Sequence, residues 1–125
     1  MNTQYTLSVF TEHSLGMISR LSAVLTRRRI AVESITACEC EVPGICRYTL
    51  VISCTEEQAR LAAQQLERQV EVFMAFAHAD HQTVYREIGL YKVPLVPLNS
   101  TLELILRKHR ASVVALESSF AVVEK

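Results

Sequence analysis

The chain has 125 residues, no tryptophan, three glycines, three prolines and no surplus of either charge. Each shortage closes off a class of function. The glycines, Gly16, Gly44 and Gly89, are too few and too scattered for a loop that cradles phosphate. Thirteen basic residues balance thirteen acidic ones, whereas a general nucleic-acid binder carries a basic excess. The one basic cluster, Arg27-Arg28-Arg29, closes a predicted helix, where the dipole favours positive charge. No apolar run reaches the roughly 18–20 residues of a membrane helix, and no hydrophobic stretch follows a basic start as in a secretory signal. A soluble, cytoplasmic protein is expected.

What is present is apolar patterning. Half the residues are hydrophobic, enough for a core without disulfide staples. Alternation of Tyr5, Leu7 and Val9 predicts a strand over 4–10. A helix is expected from about Leu15, with Met17, Ile18, Leu21, Val24 and Leu25 on one stripe and Arg20, Thr26 and Arg27 pointing away. A second strand over 30–41 and a third over 47–53 flank the turn Val42-Pro43-Gly44-Ile45. The third should present Tyr48, Leu50 and Ile52 to one side.

Thr55-Glu56-Glu57-Gln58 reads as a capping box, opening a helix whose core stripe is Ala59, Ala62, Ala63 and Leu66. A fourth strand over 70–78 should alternate Val70, Val72, Met74 and Phe76 inward. The order β-α-β-β-α-β predicts an α+β, ferredoxin-like sandwich of four antiparallel strands backed by two helices. That domain spans 1–80, and 77–82 is a polar junction. A second pattern occupies 81–125: a strand over 83–93, a loop punctuated by Pro94 and Pro97, and a helix opened by a Ser100–Glu103 capping box with Leu102, Ile105 and Leu106 inward. Strands over 112–117 and 120–125 follow, separated by Ser118-Ser119. This βαββ unit reads as the amino-terminal part of a second α+β domain, truncated at Lys125.

No catalytic constellation stands out. Cys38, Cys40, Cys46 and Cys54 follow a C-x-C-x5-C-x7-C spacing without the knuckle of a structural zinc site. Cys38 and Cys40 share one strand face, and a hairpin pairing Glu41 with Cys46 turns Cys46 to the other. The expected role is that of small strand residues in a reducing compartment. His78, Asp80 and His81 read as solvated linker residues, and the third strand lacks the paired stacking aromatics of RNA-binding sheets.

The most informative segment is the loop Thr11-Glu12-His13-Ser14-Leu15-Gly16, which feeds a helix N-terminus. Glycine there lets a ligand approach the backbone, and the free N–H groups of the first turn attract a carboxylate. A small domain without catalytic residues can hold an amino acid this way.

In ordered series, Glu12, Gly16, Arg20, Glu33, Ser34, Arg47 and Thr49 match a known pattern, as do Glu67 to Val72 and Arg86 to Val93. The pattern is E-N-x-x-G, a hydrophobic-L-x-R stretch, N-I-E-S-L, then R-hydrophobic-T. In this series the chain resembles the regulatory (small) subunits of acetolactate synthase, with an amino-terminal ACT domain. The resemblance implies a non-catalytic subunit of branched-chain amino-acid biosynthesis that binds and activates a catalytic partner carrying thiamine diphosphate, Mg and FAD. It implies no cofactor, metal or catalytic residue in this chain, and a homodimer through the ACT domain. It implies an effector such as valine held between two ACT domains by His13, Ser14, Leu15, Gly16, Met17 and Ile18 of one and Ala31 of the other. His13 and Ala31 replace two asparagines of the family pattern, so weak or absent valine inhibition is expected. A freestanding ACT-type amino-acid sensor for another enzyme is the alternative, and a cysteine-based metal or redox sensor is a third class.

Overall fold

The computed structural model describes residues 1–95 and 100–125. They divide into two compact units, Met1–Val84 and Tyr85–Lys125. The first runs β1 (Thr3–Glu12), α1 (Met17–Arg27), β2 (Ala31–Glu39), β3 (Ile45–Cys54), α2 (Glu56–Glu67) and β4 (Val72–Ala79). Its four strands lie in the order β2-β3-β1-β4, each antiparallel to its neighbour. This is the ferredoxin-like sandwich that the element order predicts.

One face of the sheet is buried under the helices. Leu7 and Val9 of β1 meet Tyr48, Leu50 and Ile52 of β3 there. Met17, Leu21, Val24 and Leu25 enter this core from α1, and Ala59, Ala62, Ala63 and Leu66 from α2. The alanine stripe lets α2 sit close to the sheet. Thr55 caps α2 with its side chain on the Gln58 N–H, and the Gln58 side chain returns the bond to the Thr55 N–H. Among the described residues no helix is long and apolar enough to cross a membrane.

Several expectations need correction. Ile18 is 49% exposed, because the stripe from Met17 through Leu21 to Val24 and Leu25 already fills the seam below α1. Strand β4 begins at Val72, and Val70 is 95% exposed in the preceding turn. Its inward residues are Val72 and Ala75, while Met74 and Phe76 face out. The cause is a bulge: Phe10 pairs with Met74 but Thr11 with Val72, so Phe73 has no opposite number and the alternation changes phase. His78 is a strand residue opposite Thr6, not a linker residue. The β2–β3 hairpin pairs Cys46 with Glu39 rather than Glu41. A shift of two keeps the face, so Cys46 is buried and Cys38 exposed. Gly44 has φ +81 in the turn, as a positive φ after Pro43 requires.

Helix α1 ends in a Schellman arrangement. The Ile30 N–H reaches the Leu25 carbonyl and the Arg29 N–H the Thr26 carbonyl. Arg29 therefore takes φ 56, a left-handed conformation that costs a residue with a Cβ about 1–2 kcal/mol. Arg29→Gly is expected to raise the urea unfolding free energy by about 0.5–1 kcal/mol, glycine's greater unfolded-state entropy offsetting part of the relief. An unchanged midpoint would count against strain at this cap.

The second unit runs β5 (Leu90–Pro94), α3 (Ser100–His109), β6 (Ser112–Leu116) and β7 (Phe120–Glu124), with strand order β5-β7-β6. It repeats the connectivity of β1, α1, β2 and β3. The same cap recurs: Arg110 has φ 54, and the Ala111 N–H reaches the Leu106 carbonyl. The strand expected over 83–93 shrinks to Leu90–Pro94 because its partner β7 has only five residues. Beyond the ladder, Gly89 and Lys125 exchange a last pair of backbone bonds. Leu102 and Leu106 are half-buried, but Ile105 stays exposed. Pro97 lies outside the described residues, and α3 begins at Ser100, the first residue of the expected capping box. Glu103 pairs with Arg107 at 2.8 Å.

Candidate functional site

The loop after β1 is held from three sides. The Glu12 N–H donates to the Glu71 carbonyl at 2.9 Å, and the His13 N–H to the Gly44 carbonyl at 3.1 Å. The third anchor is Arg20, one turn into α1. Its guanidinium donates to the Ser14 hydroxyl at 2.8 Å and the Leu15 carbonyl at 2.9 Å, and pairs with the Glu71 carboxylate at 2.9 Å. Arg20 points away from the core stripe, as expected, but folds over the loop rather than into solvent. Tyr48 lies close below: burial and the Cys46 thiol push its phenol upward, and the Arg20 charge opposes them.

Gly16 is the N-cap of α1, with φ 78 and open space where a Cβ would point. No side chain caps this helix, and its first turn holds no acidic residue. The first helical bond joins the Arg20 N–H to the Gly16 carbonyl, so the N–H groups of Met17, Ile18 and Ser19 precede the ladder. A carboxylate would meet the positive end of the dipole there. Helix α2 differs: its N-terminus is closed by the Thr55–Gln58 box.

Of the sequence-predicted residues, His13, Ser14, Leu15, Gly16 and Ile18 gather around this N-terminus. His13 is exposed, Ser14 half-buried and Leu15 97% exposed. Met17 points into the core. Ala31 lies elsewhere. It pairs with Ser53, level with Gln4, while the loop begins after Glu12 opposite Ile45. Strands β1 and β2 are parallel to each other, so Ala31 and the loop stand at opposite ends of the sheet, about 27 Å apart at ~3.4 Å per residue.

Arg20 is the residue whose role sequence reasoning missed, although its position matched the pattern. Its three acceptors lie on two separate segments, and a planar fork reaches both at once. Arg20→Met is expected to lower the unfolding free energy by about 1–2 kcal/mol, discounted for its partial exposure. Arg20→Lys should recover only part of this, since one ammonium cannot span all three acceptors. Equal stability of Arg20→Met and wild type in urea would refute the latch.

The cysteines do not converge. Cys38 is exposed, Cys40 half-buried, and Cys46 and Cys54 are buried. Burial pushes the Cys54 thiol up, which keeps it protonated and unreactive near neutral pH. Among the described residues, no three His, Cys, Asp or Glu side chains gather as metal ligands. The first unit also carries a groove of about 580 Å³ lined by α2, β4 and Tyr5 of β1, and no residue of the glycine loop lines it.

Comparison with known proteins bears on this geometry. A family model described as the AHAS small subunit-like ACT domain matches residues 7–74, more than half of the chain. The acetolactate synthase small subunit of Bacillus subtilis is 31% identical over 111 residues, covering 87% of this chain and 64% of that protein. A probable acetolactate synthase small subunit of Methanothermobacter thermautotrophicus is 31% identical over 87 residues, 70% of this chain and 52% of that one. The chain thus spans about half to two thirds of these relatives' length. Among solved structures, the small subunit of Thermotoga maritima acetolactate synthase superposes with a TM-score of 0.82 at 20% identity, over 98% of this chain and 77% of that one. That likeness carries the fold.

Proposed function

The chain belongs to the family of acetolactate synthase (AHAS) small subunit-like ACT domains, and from that premise we propose that it is a non-catalytic regulatory subunit. It binds the thiamine-diphosphate-dependent catalytic subunit in the cytoplasm and raises its activity. Residues 1–80 form the regulatory domain and 81–125 a second α+β domain. The observation that carries the reading is the uncapped N-terminus of α1 at Gly16, open to an amino-acid carboxylate and held in place by Arg20.

The effector site is proposed to form between two copies. Edge strand β2 has one free side. Two copies pairing their β2 edges antiparallel about a two-fold axis bring Ala31 of one to the sheet end that carries the loop of the other. The pairing extends the sheet and supports a homodimer. His13 and Ala31 supply less hydrogen bonding than asparagine, so valine should bind weakly.

The test is reconstitution with the catalytic subunit of the same organism, with and without valine. Co-elution and a rise in acetolactate formation support the proposal. Binding of an amino acid by this chain, with neither co-elution nor stimulation, would instead favour a freestanding sensor. Sedimentation as a monomer at micromolar concentration would overturn the dimer.

A further inference from the structure

Strand β4 is the other edge of the first sheet, and no described strand pairs with its outer side. Its sequence, Val72 to Ala79, contains no acidic residue, lysine, arginine, glycine or proline. Natural edges are normally blunted by such residues or by bulges; the bulge of β4, at Phe73, lies near its start, and Met74 to Ala79 continue in regular register with β1. Along this edge runs the α2 groove of about 580 Å³. Its floor includes Ala59, Ala63, Ala75, Ala77 and Ala79, so a second backbone can come close. An unpaired strand edge beside a helix is the geometry of β-strand addition.

The rim selects the occupant. Glu56 and Glu67 stand at the two ends of the groove-facing stripe of α2, and neither has an ion-pair partner among the described residues. The one basic residue on the stripe, Arg60, is held by Glu57 at 2.7 Å. On the opposite face of the sheet, the same edge exposes Met74 and Phe76. A second copy fits poorly, because antiparallel pairing of two β4 edges sets Glu56 of each against Glu67 of the other.

We infer that the α2–β4 groove docks an extended segment of a partner protein as a fifth strand, with basic side chains toward α2 and apolar ones toward Met74 and Phe76. The spacing follows from geometry. Eleven residues of helix separate Glu56 from Glu67, about 16 Å at ~1.5 Å per residue. A strand covers that in roughly five residues, and same-face positions are even-numbered apart. The recognised pattern is therefore two basic residues four to six apart with apolar residues on the alternate face. This inference does not depend on effector binding at the glycine loop.

The test titrates the full isotope-labelled chain with a blocked eight-residue peptide, lysines at its second and sixth positions and valine or threonine elsewhere. A control peptide carries glutamates in place of the lysines. The lysine peptide should shift the amides of β4 and α2, and Glu67→Lys should weaken it about five- to tenfold. That variant places positive charge at a helix C-terminus, where the dipole favours it, so lost binding cannot be ascribed to unfolding. Three results would each overturn the inference: no β4 shift at millimolar peptide, equal shifts from both peptides, or β4 shifts that follow protein concentration alone.

Discussion

Leu50→Ala is expected to cost the first unit about 2–5 kcal/mol of unfolding free energy. Leu50 is fully buried at the centre of β3, in register with Leu7 on one side and Ile35 on the other. Small domains hold only about 5–15 kcal/mol in total, so the loss is a large share. The neighbours are fixed by two strand ladders and cannot collapse into the space, which places the cost toward the upper part of the range. Leu50→Met conserves volume and should cost less than about 1.5 kcal/mol. Leu15→Ala is the control, because that side chain is 97% exposed and should stay within about 0.5 kcal/mol of wild type. Urea midpoints of the three variants check the order. A Leu50→Ala midpoint equal to that of Leu15→Ala would place the core elsewhere.

The second large effect concerns the effector. Ala31→Asn is expected to tighten valine binding, and His13→Asn added to it should tighten it further, about ten- to a hundredfold in all. The carboxylate would use backbone N–H groups at Gly16, which neither substitution alters. The two asparagines supply side-chain partners that alanine lacks altogether and histidine offers only in part. Ala31 is exposed at the start of an edge strand, so asparagine fits there without repacking. Calorimetry of the wild type, single and double variants gives the steps. The idea fails if the wild type already binds valine at micromolar affinity, or if neither substitution improves it.

Much of the fold was legible because local signals agreed. In β3 the alternation of Tyr48, Leu50 and Ile52 with Arg47, Thr49 and Ser53, broken only by Val51, favours one phase, and the Thr55–Gln58 box fixes where α2 begins. Strand β4 was misread for the opposite reason. From Val72 to Ala77 every residue is apolar, so a period of two cannot choose a phase, and the bulge at Phe73 depends on pairing with β1. The expected 83–93 strand failed similarly, since strand length is set by the partner. The position of the glycine loop was readable from its order between strand and helix. Its anchoring was not, because Arg20 reaches Glu71 across 51 residues of sequence. The left-handed Arg29 and Arg110 were also hidden, as arginine carries no signal for that conformation.

The placement of Ala31 and the glycine loop at opposite ends of one sheet has a consequence in mass action. In the proposed dimer, a ligand that must touch both would bind the dimer and not the separated chain, and would stabilise the dimer by the same free energy with which the dimer strengthens its binding. Dilution below the dimer dissociation constant should lower apparent affinity, and saturating ligand should shift that constant downward. A cell could then set its sensitivity to the effector by how much of this chain it makes, with no change in any residue that touches the ligand.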